Sequence, residues 1–331
     1  MIRIPLGATL MLLVLSLIFT AAGRPALAAG ASIVIDAGSG RTLHAADADA
    51  RRYPASLTKM MTLYLLFDAL DAGKVKPGTQ LRVSRRAAAQ PPTNIGLRAG
   101  GTITVKDAIL ALATKSANDV AVVVAEALAG SESKFAQRMT TKARALGMKQ
   151  TTFRNASGLH HPGQVTTARD MAMLGRALLR NHPRQSRVFA TRSFRYGGTR
   201  YANHNRLLGV YRGLDGIKTG YTNAAGFNLV ATARREQTRL IGVVMGQRSA
   251  VARNARMSAL LDAGFRDMAK AKARVAASKP KATARVATSK PKAKARVATS
   301  RPKAKARVAA SRPKAKAAVA ASRPKAADTP G

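Results

Sequence analysis

The run Ser56-Leu57-Thr58-Lys59-Met60-Met61-Thr62-Leu63-Tyr64-Leu65-Leu66-Phe67-Asp68-Ala69-Leu70 is apolar on nearly every side. A surface helix shows one apolar stripe, whereas a helix that is hydrophobic all round is buried inside a domain. The pattern therefore predicts a central helix over Ser56 to Leu70 with the rest of a folded body packed around it. Its first turn carries Ser56 and Lys59, three apart and so on one face, where the amine can reach the hydroxyl. A serine at a helix N-terminus also has backbone N–H groups and the positive end of the macrodipole beside it, which suits a developing oxyanion. The same Ser-x-x-Lys spacing occurs at Ser131/Lys134 and five times near the C-terminus, for example Ser278/Lys281 and Ser300/Lys303. Only Ser56 stands at the mouth of the most apolar helix, where burial can depress a lysine pKa and leave a neutral base.

Outward from this helix, Ser32-Ile33-Val34-Ile35, a Gly38-Ser39-Gly40 turn and Arg41-Thr42-Leu43 read as a hairpin. Helical patterns follow at Val105 to Thr114, Asp119 to Leu128, Ser131 to Leu146 and Thr167 to Leu179, the last with Thr167 and Asp170 spaced as a capping box. Strand patterns return at Gly226 to Ala233 and Arg239 to Met245, and a final helix is expected from about Val251 to Met268. Strands at both ends with helices between predict an α/β (α+β) fold. One antiparallel sheet, flanked by helices, is completed by both ends of the domain and interrupted by a helical insertion.

The chain of 331 residues has 57 Lys+Arg against 15 Asp+Glu, a formal net charge of +42, with 46% hydrophobic residues, no cysteine and no tryptophan. Disulfides, thiolate metal sites and a cysteine nucleophile are thereby excluded. The charge is divided. Residues 270–331 hold 19 basic residues and one acid, Asp328, for +18, and the remaining 269 residues hold 38 basic and 14 acidic, for +24. From Arg274 the sequence repeats every 11 residues (RVAASKPKATA, RVATSKPKAKA, RVATSRPKAKA, RVAASRPKAKA, AVAASRPKAAD). With a proline and one valine per unit, the repeat cannot bury enough area to offset chain entropy, so residues 270–331 are expected to form a disordered basic tail. Extended, it would reach about 200 Å at roughly 3.3 Å per residue. At the other end, the apolar run Leu10 to Phe19, preceded by Arg3 and followed by Ala26-Leu27-Ala28, fits a secretory signal peptide over residues 1–28. Residues 29–269 would then be the folded domain of an exported protein, carrying +22 once Arg3 and Arg24 are lost.

Two further short motifs carry polar chemistry. Ser116-Ala117-Asn118 can direct both polar side chains into one cleft only from a turn entering the next helix, since residues two apart on a helix diverge; a plain N-cap is the alternative. Lys218-Thr219-Gly220 precedes Tyr221 and the strand pattern at Gly226. A glycine there is explained by close approach of something to the strand, such as a substrate backbone, or by a simple turn.

Taken in order, Ser-x-x-Lys, Ser-x-Asn and Lys-Thr-Gly resemble the signature set of the penicillin-binding protein and serine β-lactamase superfamily. The longer stretches Tyr53 to Thr62 (YPASLTKMMT), Asn155-Ala156-Ser157-Gly158-Leu159 and Asp215 to Thr222 (DGIKTGYT) resemble low-molecular-mass D-alanyl-D-alanine carboxypeptidases, over roughly Ala31 to Ala269. The resemblance implies a DD-peptidase/β-lactamase-like fold and a serine enzyme that removes the terminal D-alanine from peptidoglycan stem peptides and is acylated by penicillin. It implies Ser56 as nucleophile, Lys59 as general base, Ser116 as proton relay to the leaving amine, and Asn118 holding the substrate amide and Lys59. It further implies Lys218 and Thr219, within the Gly220-containing motif, at the terminal carboxylate, the backbone N–H groups of Ser56 and Tyr221 as oxyanion hole, and Arg206 and Arg248 near the carboxylate. Many such enzymes have a second, β-rich domain and a membrane-lying C-terminal helix, where this chain passes straight into the basic repeat.

A β-lactamase would share the motifs but, in one common class, needs a glutamate-activated water, and the body offers only Glu126, Glu132 and Glu236. A catalytically inactive envelope or nucleic-acid binding module is the remaining alternative, since Ser-Arg-Pro-Lys units can contact phosphates. Export argues against nucleic acid, and the expected partner of the tail is an anionic envelope surface such as phospholipid head groups, with the enzyme in the periplasm or envelope, peripheral at the inner membrane. No cofactor is expected: His160 and His161 are adjacent and diverge, no His-Glu-x-x-His occurs, and both histidines are read as loop residues near the groove.

Overall fold

The computed structural model describes residues 30–278. β1 (Ser32–Asp36) and β2 (Thr42–Ala46) form the expected hairpin, its turn fastened by Asp36 Oδ1, which accepts from the backbone N–H and the hydroxyl of Ser39. A 3-10 turn, Ala55–Thr58, leads into α1 (Lys59–Asp71), followed by the paired strands β3 (Gln80–Arg82) and β4 (Thr102–Thr104), with the single turn α2 (Arg85–Ala88) between them. The helical part continues with α3 (Val105–Thr114), α4 (Asn118–Ala129), α5 (Glu132–Ala145) and α6 (Ala168–Asn181). A small hairpin, β5 (Ser193–Tyr196) and β6 (Thr199–Ala202), precedes β7 (Leu214–Thr222), β8 (Gly226–Arg235), β9 (Thr238–Gln247) and α7 (Ala250–Ser278).

β1, β2, β7, β8 and β9 make one antiparallel sheet in the order β2-β1-β9-β8-β7, so both ends of the domain meet in it, with Ile33 opposite Val243. Side chains alternate across the sheet, as strand geometry requires. Val34, Leu229, Ala231, Leu240 and Val244 pack with Met257, Leu261 and Phe265 of α7 on one face. Ile33, Ile35, Ile217, Val230, Ile241 and Val243 belong to the larger core on the other, where α6 covers β1, β8 and β9. α1 and the turn before it lie inside that core, with Leu57 of the turn and Met60, Leu63, Leu66 and Phe67 of α1 at 0% exposure. Full burial of each such side chain contributes roughly 1.5–3 kcal/mol, which is why this run has no polar face. α4 packs against α1, α2, α3 and α5, and every residue from Asn118 to Ala125 is buried.

Three differences from the sequence expectation have physical reasons. β7 is a full strand at the sheet edge, hidden from pattern reading because its residues are buried from Gly216 to Gly220 and include Lys218 and two glycines rather than alternating. The Thr167 hydroxyl caps α6 by accepting from the Asp170 N–H, but the Asp170 carboxylate turns to Thr151 and the Gln150 N–H instead of closing the box. The last helix runs past Met268 and across the expected 269/270 boundary to Ser278. Ala- and Lys-rich residues of high helix propensity continue the helix through Ser278, and Lys272 Nζ donates to Thr238 Oγ1 at 2.8 Å. The expected signal segment and the rest of the repeat lie outside the described residues.

Candidate active site

The 3-10 turn places Ser56 at the entrance of α1, and Ala55 just before it takes φ +48°, a left-handed conformation rare for alanine. Lys59 is completely buried, and its Nζ lies 3.1 Å from Ser56 Oγ, 2.7 Å from Asn118 Oδ1 and 2.5 Å from the Ser157 carbonyl. Burial, and secondarily the like charge of Lys218, push its pKa well below the ordinary lysine value. A neutral amine has two N–H donors and one lone pair. The Asn118 and Ser157 oxygens take the donors, and the lone pair is left for the Ser56 hydroxyl.

The Ser157 carbonyl is held by the loop Asn155 to Leu159. Asn155 Oδ1 accepts from the Gly158 N–H, the Ala156 N–H donates to Glu132 Oε1, and Thr62 of α1 donates to the Ala156 carbonyl. Gly158 (φ +88°) lies so close to the nucleophile turn that a Cβ would sit 1.9 Å from the Ala55 carbonyl oxygen. Ser116 is also left-handed (φ +62°), Ala117 is the extended N-cap residue without a side-chain cap, and Asn118 is the first residue of α4. This turn lets Asn118 face Lys59 while its Nδ2 donates to the Pro91 carbonyl. The Ser116 hydroxyl is buried at the cleft wall and has no hydrogen-bond partner among the described residues.

β7 forms the opposite wall. Gly220 runs against the nucleophile turn, where a Cβ would lie 3.0 Å from the Pro54 carbonyl and 3.1 Å from the Ser56 nitrogen. Asn228 of β8, fully buried, donates to the Tyr53 and Pro54 carbonyls and accepts from the Gly246 N–H, fastening that turn to the sheet. A cleft of about 460 Å³ opens between these walls, lined by Ser56, Ser116, Asn118, Arg206, Thr219 and Arg253 among others. Buried Lys218 donates to the Thr219 carbonyl at 2.9 Å, and burial together with the Arg253 charge lowers its pKa to about 7. Arg253 is itself only 4% exposed, with its pKa lowered to about 10 by burial. His204 is pushed down to about 4 by burial and the cations around it, so it is neutral at pH 7. One end of the cleft is therefore strongly cationic and suited to a carboxylate.

Residues 18–249 match the family described as D-alanyl-D-alanine carboxypeptidase. The chain belongs to the D-alanyl-D-alanine carboxypeptidase family. It is 41% identical over 251 residues to D-alanyl-D-alanine carboxypeptidase DacA of Escherichia coli, a match covering 74% of this chain and 62% of that relative's length. Its fold superposes on penicillin binding protein 5 from Haemophilus influenzae with a TM-score of 0.70 at 34% identity, covering 72% of this chain and 70% of the other. Penicillin-Binding Protein D2 from Listeria monocytogenes in its cefotaxime-bound form gives 0.66 at 32% identity, covering 72% and 97%.

Within this carboxypeptidase-family fold, Ser56, Lys59, Ser116, Asn118, Lys218, Thr219, Gly220, Tyr221 and Arg206 come together around one cleft. Arg248 does not line it. It follows the end of β9, is exposed, and faces an adjoining groove, whereas the first turn of α7 carries Arg253 into the cleft five residues later. Gly220 is needed first for contact with the Ser56 turn rather than with a substrate. Ser131 of the other Ser-x-x-Lys pair in the body is an N-cap, its hydroxyl accepting from the Lys134 N–H. Arg253, Asn228 and His204 were missed. An arginine three residues into a helix and an asparagine within an apolar strand carry no motif, although a polar residue amid Gly226 to Ala233 was a signal.

Proposed function

We propose that the protein is a serine-type D-alanyl-D-alanine carboxypeptidase acting on peptidoglycan stem peptides. The observation that carries it is Ser56 Oγ at 3.1 Å from Lys59, fully buried and with its pKa depressed mainly by that burial, beside a cleft lined by Thr219, Arg206 and Arg253, with the buried Lys218 next to Thr219 in β7. The terminal carboxylate enters the cationic end. Ser56 Oγ attacks the carbonyl between the two D-alanines as its proton passes to Lys59 Nζ, and the backbone N–H groups of Ser56 and Tyr221 hold the oxyanion. Collapse of the tetrahedral intermediate breaks the C–N bond. The proton reaches the departing amine through the Ser116 hydroxyl, the free D-alanine leaves, and water then hydrolyses the acyl-enzyme with Lys59 again accepting the proton. Asn118 positions Lys59 and the substrate amide.

A β-lactam presents a strained amide to the same serine. Rapid release of the penicilloyl group is not expected. All three glutamates lie outside the cleft, and Glu132 is taken up by Arg86 and the Ala156 N–H. Penicillin should therefore give a burst of acylation followed by slow release, while fast steady turnover would favour a β-lactamase. We further propose an exported, envelope-located enzyme. Among the described residues no helix is long and apolar enough to cross a membrane. N-terminal sequencing of the exported protein tests the proposed cleavage after residue 28, which a start at Met1 would refute.

A further inference from the structure

A second groove, of about 540 Å³, adjoins the cleft and shares Tyr221 and Phe227 with it. Three arginines, Arg51, Arg52 and Arg248, are among the residues that line it, and no Asp or Glu is. Arg51 and Arg248 are exposed and come from separate segments, the approach to the nucleophile turn and the loop between β9 and α7. Between groove and cleft stands the Tyr221 ring, 51% exposed, tilted over Phe227 with centroids 4.2 Å apart and its hydroxyl donating to Asn223 at 2.8 Å. An exposed aromatic fixed at both ends in this way is a platform rather than core.

The direction of the substrate places its remainder here. β7 is an edge strand and can accept an extended peptide by backbone pairing. With the carboxylate end at Lys218 and Thr219 and the reacting carbonyl at Ser56, the N-terminal side of the substrate continues past Tyr221 and Thr222, towards the groove. At about 3.3 Å per residue, two to three residues before the scissile bond extend roughly 7–10 Å along β7 in the direction of the groove.

We propose that this groove is an anion-recognising subsite, in which Arg51 and Arg248 bind a carboxylate carried by the substrate N-terminal to the D-alanyl-D-alanine pair. The proposal rests on the carboxypeptidase reading above and adds to it a preference for acidic peptides. The guanidinium fork suits a carboxylate, and an opening free of acidic residues steers anions towards Ser56.

The test uses the full chain and two peptides ending in D-alanyl-D-alanine, identical except that one residue about two before the scissile bond carries a free carboxylate or its amide. The acid is expected to show a kcat/KM about fivefold above the amide at low ionic strength, the size of one or two partly exposed ion pairs. That ratio should shrink in high salt, and an R51A/R248A variant should bring it to about one. Equal rates for acid and amide with the wild-type protein, while D-alanine is released from both, overturn the subsite and leave the carboxypeptidase reading intact. An undiminished ratio in the variant overturns it too. Release of D-alanine from neither peptide defeats the carboxypeptidase reading itself, and the subsite falls with it.

Discussion

At the scale of single residues, the proposed mechanism depends on keeping one amine neutral and another charged. Ser56→Ala should lower D-alanine release by on the order of 10⁴ or more and remove labelling by a fluorescent penicillin; labelling that persists would mean another serine is acylated. In the proposed mechanism Lys59 acts deprotonated, in keeping with the depression of its pKa by burial, whereas Lys218, at about 7, is cationic only on the acid side. The kcat/KM of the wild type should therefore decline as pH rises past about 7, and Lys218→Arg, with a guanidinium that does not titrate, should move that decline upward. A pH–rate profile unchanged by the substitution would assign it to another group. The stability effect has the opposite sense. The folded pKa of Lys218 lies below its unfolded value, so the fold gains stability as pH rises from about 7 towards about 10.4. Lys218→Met should stabilise the fold at pH 6–7 by on the order of 1–3 kcal/mol, seen as a raised thermal midpoint, while impairing catalysis; a lowered midpoint would show that the charge is well compensated in the fold. Ser56, Lys59 and Asn118 were legible in the sequence because a short motif implies a shared face or turn. Arg253 was not, because no short-range pattern tells which arginine of a helix start points inward.

At the scale of elements, two glycines hold the nucleophile turn between the Asn155–Leu159 loop and β7. Gly158→Ala combines a Cβ 1.9 Å from a carbonyl oxygen with φ +88°, and Gly220→Ala brings one to 3.0 Å from backbone that cannot swing aside. The expected losses are about 3 kcal/mol or more for the first and about 1–3 kcal/mol for the second, read by denaturant unfolding, with reduced kcat for both. A Gly220→Ala protein of full stability and activity would show that β7 can move away. α1 and α3 could be read directly, the first because it is apolar throughout and the second from its helical pattern over Val105 to Thr114. β7 could not. Its residues are buried by the helix turn on one side and the sheet on the other, and a strand with a buried lysine and glycines has no period to detect.

At the scale of the molecule, the sheet joins both ends of the domain, and its edge strand becomes one wall of the cleft. That closure was legible from strands at the two ends with helices between. The boundary expected at 269/270 was not, since helix propensity carries α7 through Ser278. The basic repeat beyond it is proposed to tether the enzyme to an anionic envelope surface, and the division of charge suggests where to cut. Ending the chain after Pro280 keeps the Lys272–Thr238 contact. The shortened protein should retain its kcat/KM and lose salt-sensitive sedimentation with anionic vesicles; equal sedimentation of both forms would refute the tether. The central claim is tested most directly by incubating the full-length protein with a muropeptide ending in D-alanyl-D-alanine and weighing the products. The expected result is a product shorter by one D-alanine with the wild type and none with Ser56→Ala; an unshortened peptide with the wild type, or equal shortening by Ser56→Ala, would contradict it.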